Sequence, residues 1–327
     1  MKTIKQILSL ALCAATLMLG GCGSKPASQT EITTTAPTET IDPNTPLCDG
    51  KSLKMLVITS SFGLNTTQFL YDVATAEGCT DVVIGRLYGS GCTLLQHVEN
   101  AKSNANYYEY TKIGGDRSRW QTSYSIPLKF GLQDEDWDII FMQQSATQAG
   151  IAEYYGDFID QLVAYVHTNK TNPNARFVWN MTWAYQSDST QPVFINNFRS
   201  NQMEMYNAIV DVVKEKVLPR TDFDRIIPTG TVIQNARTSA FGDTLCKDTF
   251  HLNNYGGILA AYGVYAVLTG QPLTEIHLDA AAASPNGIQG ADPVTNLSEE
   301  DKAIIIESVN NAINNPFTVT PSVFTEG

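Results

Sequence analysis

Apolar positions along this chain fall into short, nearly unbroken runs at 53–58, 82–87, 138–142, 176–181 and 225–228. Runs of that length, bounded by polar or turn-forming residues, have the signature of strands buried on both faces. Between most of them the spacing of apolar residues changes to a helical period, at 66–76, 154–166 and 203–218, and a last apolar helix is expected over 255–268. Strands alternating with helices predict an α/β fold, a five-stranded parallel sheet covered on both faces. In such a sheet, catalytic loops gather at the carboxyl ends of the strands, near the switch in strand order.

The first 47 residues follow another pattern. Lys2 and Lys5 precede an apolar stretch at 7–19, too short to span a bilayer as a mature helix. It ends in Leu19-Gly20-Gly21-Cys22, small residues before a cysteine, which resembles the lipobox of bacterial lipoproteins. Cleavage before Cys22 would leave a lipid-bearing cysteine as the anchor. The Ser, Thr, Pro and Glu residues that follow have too little apolar surface to fold, and read as a tether. The expected organisation is a signal peptide over 1–21, a tether over 22–47 and one α/β domain over 48–327, anchored outside the cytoplasm in a bacterial envelope.

Charge and cysteine usage narrow the partners. The formal net charge of −12, with no basic cluster, argues against nucleic acid. Beyond Cys13 and Cys22, four cysteines remain: Cys48, Cys79, Cys92 and Cys246. They could pair in three ways or stay as buried thiols, and the sequence selects none of these. The four histidines are scattered and no zinc-ligand spacing occurs, so neither metal nor cofactor is expected.

The chemistry concentrates in two places. Asp248-Thr249-Phe250-His251 sets a carboxylate three residues before an imidazole, where the acid can hold one ring nitrogen and leave the other free to take a proton. Ser60-Ser61-Phe62-Gly63 follows the first apolar run, offering a hydroxyl on a strand-to-helix turn. Together they point to a serine esterase.

The stretches Leu56-Val57-Ile58-Thr59-Ser60-Ser61-Phe62, Leu87-Tyr88-Gly89-Ser90-Gly91-Cys92-Thr93-Leu94, Trp137-Asp138-Ile139-Ile140-Phe141-Met142-Gln143-Gln144-Ser145, Met181-Thr182-Trp183-Ala184-Tyr185-Gln186 and Asp248-Thr249-Phe250-His251 resemble the SGNH (GDSL-like) hydrolases. The similarity is narrower to their DUF4886 branch, over about 53–270. It implies a flavodoxin-like α/β/α sandwich that hydrolyses esters through serine, aspartate and histidine without a metal. The branch's usual turn, Gly-Asn-Ser-Phe-Ser, falls on Thr59-Ser60-Ser61-Phe62-Gly63, which makes Ser61 the nucleophile and Ser60 the alternative. A β-branched threonine in place of glycine puts the shape of that turn in question. The resemblance assigns the oxyanion hole to the backbone N–H groups of Ser61 and Gly91 and to a side-chain amide, Gln143 or Gln144, with Gln144 slightly preferred. Trp183 and Tyr185 could border the cleft and stack on a sugar, with core packing the expected role for at least one of them. Arg237 could orient a substrate group or pair with an acid, and His97 is expected to be structural or exposed.

The expected substrate is an acylated, most simply acetylated, glycan or a small ester. A short-chain lipase or thioesterase on the same residues, or a glycan-binding lipoprotein whose site has decayed, are the alternatives.

Overall fold

The computed structural model describes residues 45–115, 117–281, 283 and 296–325. The chain divides into two units, Met1–Thr40 and Ile41–Gly327, and the described residues belong to the second. The expected signal peptide, Cys22 and most of the tether lie outside them.

In chain order the elements are β1 (Ser52–Thr59), α1 (Ser61–Thr67), α2 (Leu70–Ala76), β2 (Asp81–Tyr88), α3 (Leu94–Ser103), β3 (Tyr108–Gly114), β4 (Arg117–Ile126), α4 (Leu128–Gln133) and β5 (Ile139–Met142). A 3₁₀ turn at Ala152–Tyr154 leads into α5 (Phe158–Asn169) and β6 (Arg176–Asn180). Then come α6 (Pro192–Phe198), α7 (Gln202–Lys216), β7 (Arg225–Ile227), α8 (Thr229–Ala236), α9 (Asn254–Thr269) and α10 (Glu299–Asn314).

The sheet has seven strands rather than five, in the order β4-β3-β2-β1-β5-β6-β7. The five apolar runs form its parallel part: β1 pairs with β2 and β5, β5 with β6, and β6 with β7. The two further strands are an antiparallel hairpin, β3 on β2 and β4 on β3. Their sequences mix aromatic, hydroxyl and charged residues and so lack the continuous apolar run, although β3 is buried at every position but Glu109. Gly114 makes the approach possible: its φ is +92°, and a Cβ there would lie 1.8 Å from the Val82 carbonyl oxygen.

Taken alone, the parallel strands run second, first, third, fourth, fifth, the flavodoxin-like order, with the switch point at β1. Helices α1, α2, α8, α9 and α10 pack with one another, and α3, α4 and α5 form a second group. The expected single helix at 66–76 is two, α1 and α2, and the first starts earlier, at Ser61. Helix α9 is buried nearly all round, with only Tyr255 and Tyr265 partly open, which marks it as the central helix of its layer.

Candidate active site

Strand β1 delivers its chain to the carboxyl edge of the sheet, where Ser60 stands at the N-cap position of α1 without a side-chain capping bond and Ser61 is the first helical residue. Ser60 is buried and Ser61 half-buried, so the second hydroxyl is the more accessible. Neither Thr59 nor Ser60 has a left-handed backbone, so threonine is tolerated where the resemblance expects glycine. The steric demand has moved to Gly63, where a Cβ would sit 1.9 Å from the Thr59 hydroxyl oxygen.

The second half of the site is a tight loop between α8 and α9. Backbone bonds from Lys247 N–H to the His251 carbonyl and from Asn253 N–H to the Leu245 carbonyl close it. Asp248 binds it twice. Oδ1 accepts the backbone N–H of His251 at 2.7 Å, and Oδ2 takes the ring Nδ1 at 2.7 Å. Partial burial opposes the charged form of Asp248. The hydrogen bonds from the His251 ring and backbone, with the His251 charge, outweigh that and hold the carboxyl below its ordinary value. With Nδ1 engaged, the proton-accepting position is Nε2, which is buried and has no hydrogen-bond partner. Thr249, at the loop's tip, has φ +72°, a costly conformation for a β-branched residue.

The two halves adjoin through aromatic rings. Phe62, the residue after Ser61, meets the His251 ring edge-on at 5.8 Å and stacks flat on Trp183 at 4.0 Å. The Trp183 indole N–H donates to the carbonyl of Phe250, the residue before His251, at 2.8 Å. Gln186 donates its backbone N–H to the Thr249 carbonyl. The segment after β6 therefore holds the nucleophile turn and the histidine loop in one frame.

For three residues the structure decides between the open readings. Trp183 and Tyr185 are fully buried, so they pack beneath the site and do not border it. Arg237 is also buried: its Nε pairs with Asp243 at 2.9 Å and its Nη1 donates to the Ala184 carbonyl. Asp243 in turn accepts the Ser187 backbone N–H, so Arg237 ties together the two loops that flank the histidine. His97 is structural. It is buried against Tyr108, whose hydroxyl lies 2.8 Å from Nδ1, and burial lowers its pKa to about 4.

The oxyanion candidates separate by face. Gly91 is exposed at φ +60° on the loop between β2 and α3, a conformation that favours glycine. Gln144, after β5, reaches toward that loop. Its Oε1 lies between two donors, the backbone N–H groups of Leu94 at 3.1 Å and Ser145 at 2.8 Å, which fixes the amide's orientation. Its Nε2 gives one hydrogen to the Tyr154 carbonyl at 3.0 Å, and the side chain is buried. Gln143 is turned to the opposite side. Its Oε1 accepts from Asn180, which bonds Thr66 of α1 and Thr229 of α8, while its Nε2 is buried without a partner.

The four cysteines of the domain are free thiols. Among the described residues, no group of three or more His, Cys, Asp or Glu side chains is placed to hold a metal ion. A cavity of about 550 Å³ lined by Phe223, Pro228, Val267 and Phe317 lies toward the amino end of β7 and the carboxyl end of α9, away from His251.

Residues 54–284 match the family described as a domain of unknown function, DUF4886. None of the curated proteins matches the chain. A DUF4886 family protein from Bacteroides uniformis ATCC 8492, solved as a crystal structure at 1.50 Å, is 33% identical with a TM-score of 0.71, over 83% of this chain and 98% of that one. A gut microbial diltiazem-metabolizing enzyme (15% identity, TM-score 0.37, 67% of this chain and 47% of that one) is far more remote. So is a GDSL-like lipase from Parabacteroides merdae ATCC 43184 (13%, 0.39, 68% and 98%). By the match over residues 54–284 and the similarity to the Bacteroides protein, the chain belongs to the DUF4886 family.

Proposed function

We propose that the protein is a serine esterase that removes acyl groups, chiefly acetyl, from carbohydrates. One observation carries the reading: an Asp248-bound imidazole presents an unpartnered Nε2 beside the turn that bears a half-buried serine. Ser61 Oγ attacks the acyl carbonyl carbon while His251 Nε2 takes its proton. Asp248 stabilises the imidazolium. Negative charge on the carbonyl oxygen meets the backbone N–H groups of Ser61 and Gly91 and the side-chain amide of Gln144. Collapse breaks the bond to the sugar oxygen, which receives the proton from Nε2. Water then repeats the sequence on the acyl-enzyme, releasing acetate and restoring Ser61.

Gln144 is favoured over Gln143 because its amide reaches the Gly91–Leu94 loop, whereas Gln143 bonds toward α1 and α8. The lipobox-like stretch and the tether support a lipid-anchored enzyme outside the cytoplasm, in a bacterial cell envelope. Mass spectrometry of the mature amino terminus tests the anchor: a diacylglyceryl Cys22 is expected, and an unmodified terminus elsewhere contradicts it.

The activity is tested with purified protein on p-nitrophenyl acetate and acetylated xylan. Acetate release that disappears in Ser61→Ala is expected. A folded wild-type protein that releases none from either substrate contradicts the reading.

A further inference from the structure

Cys48 and Cys79 meet at the amino edge of the sheet, where the chain enters β1. The backbone N–H groups of Thr80 and Asp81 both donate to the Lys51 carbonyl, which carries the β1–β2 pairing one step back from Ser52 and Asp81. The next step sets Gly50 beside Cys79, on neighbouring chains that run about 4.8 Å apart. There the Cys79 thiol donates to the Gly50 carbonyl at 3.3 Å. Cys48 reaches the same glycine through a tight turn. Asp49 Oδ1 accepts the Lys51 and Ser52 N–H groups at 2.8 and 2.9 Å, Gly50 bends the chain with φ +72°, and the Gly50 N–H bonds the Cys48 sulfur. Both sulfurs therefore bond the backbone of one residue.

The two thiols also act on each other. Burial, and after it the neighbouring Cys48, push the Cys79 thiol up to about 11, and burial raises Cys48 as well. Cys48 is half-buried, so a reagent can reach the pair from its side, whereas the other three thiols are buried. Cys92 and Cys246 are placed differently. Cys92 follows β2 at the carboxyl edge, and Cys246 lies 3.8 Å from Arg237 Nη2 beside the histidine loop.

We propose that Cys48 and Cys79 are a disulfide-forming pair, whose bond staples segment 48–79, with β1, Ser61, α1 and α2, into a closed loop. The reaction consumes one disulfide oxidant. The more exposed Cys48, as thiolate, attacks a sulfur of the oxidant and releases one thiol. Cys79, as thiolate, then attacks the Cys48 sulfur of the mixed disulfide and releases the second. Two protein thiols are oxidised, and their two protons and two electrons leave on the oxidant's two thiols. Export, as proposed above, would bring the pair to such an oxidant. The staple stabilises the fold by restricting the unfolded chain, and it does not depend on the esterase reading.

The test incubates the purified, folded protein with oxidised glutathione at pH 8. Free thiols are then alkylated in denaturant without reductant, and the peptides are mapped by mass spectrometry. One linked pair joining Cys48 to Cys79 is expected within a monomer, with Cys92 and Cys246 alkylated. The melting temperature should stand about 5–10 °C above that of the reduced protein. Cys48→Ser and Cys79→Ser, treated alike, should show no such rise. Alkylation of all four thiols, a lasting glutathione adduct on Cys48, or a bond from Cys48 or Cys79 to any other cysteine overturns the pair. An unchanged melting temperature with the bond in place overturns the staple.

Discussion

The two ring nitrogens of His251 differ, one bonded to Asp248 and one buried with no partner, and the proposed mechanism uses that difference. That asymmetry separates the two mutants. His251→Ala removes the proton carrier, and kcat on an activated acetyl ester should fall by several orders of magnitude with the circular dichroism unchanged. Asp248→Asn keeps the loop but lets the ring adopt the wrong tautomer, costing about 10⁴-fold, as the same change does in a serine protease triad. Near wild-type turnover by a folded His251→Ala protein would remove the mechanism. Trp183 acts one step further away. Trp183→Phe keeps the stack on Phe62 and leaves the Phe250 carbonyl without its donor, at a cost of about 1–3 kcal/mol in stability. Thermal unfolding and kcat should drop together, because the carbonyl belongs to the residue before His251. The Asp248–His251 pair and the turn that carries Ser61 were legible because each is a short local motif. The burial of Trp183, Tyr185 and Arg237 was not, since it depends on loops far apart in the chain meeting in space.

At the scale of elements, the parallel strands could be read directly because burial on both faces writes a continuous apolar run. The β3–β4 hairpin has no such run, and its mixed aromatic, hydroxyl and charged residues hid it from a search for apolar runs. The β1–α1 junction makes its own prediction. Gly63→Ala should destabilise the wild type, since the new Cβ strikes the Thr59 hydroxyl. In a Thr59→Gly background the same change should be neutral or stabilising by up to about 1 kcal/mol, because alanine is the better helix former. A double-mutant cycle by chemical denaturation measures that sign reversal.

A second junction lies at the far end of α2. There Glu77 takes the His277 ring at 2.8 Å and the Tyr262 hydroxyl, and Glu275 faces the other ring nitrogen at 3.4 Å. The hydrogen bond and charge of Glu77 raise the His277 pKa above its ordinary 6.5. A raised value means the pair stabilises the fold below the unfolded pKa and loses that contribution as pH rises through the folded one. The melting-temperature gap between wild type and His277→Gln should therefore be present at about pH 6 and vanish by about pH 9. A gap that widens with pH would contradict the assignment.

For the molecule as a whole, the site stands where the topology predicts a ligand. Ser61 follows β1 and Gln144 follows β5, one on each side of the switch in strand order, and Gly91 follows β2, next to β1. The described chain enters at the opposite edge, where Leu47 and Cys48 bond the Leu268 carbonyl at the end of α9. This architecture followed from the order of apolar runs, whereas the hairpin that widens the sheet and the residues that border the cleft depended on packing.

The central claim is that Ser61 is a nucleophile activated by His251. It is tested most directly by treating the folded protein with a fluorophosphonate and locating the adduct by peptide mass spectrometry. The account predicts one phosphonyl group on Ser61, lost in Ser61→Ala and strongly slowed in His251→Ala. An adduct on Ser60, or no adduct on a folded protein that still binds acetylated glycans, would contradict it.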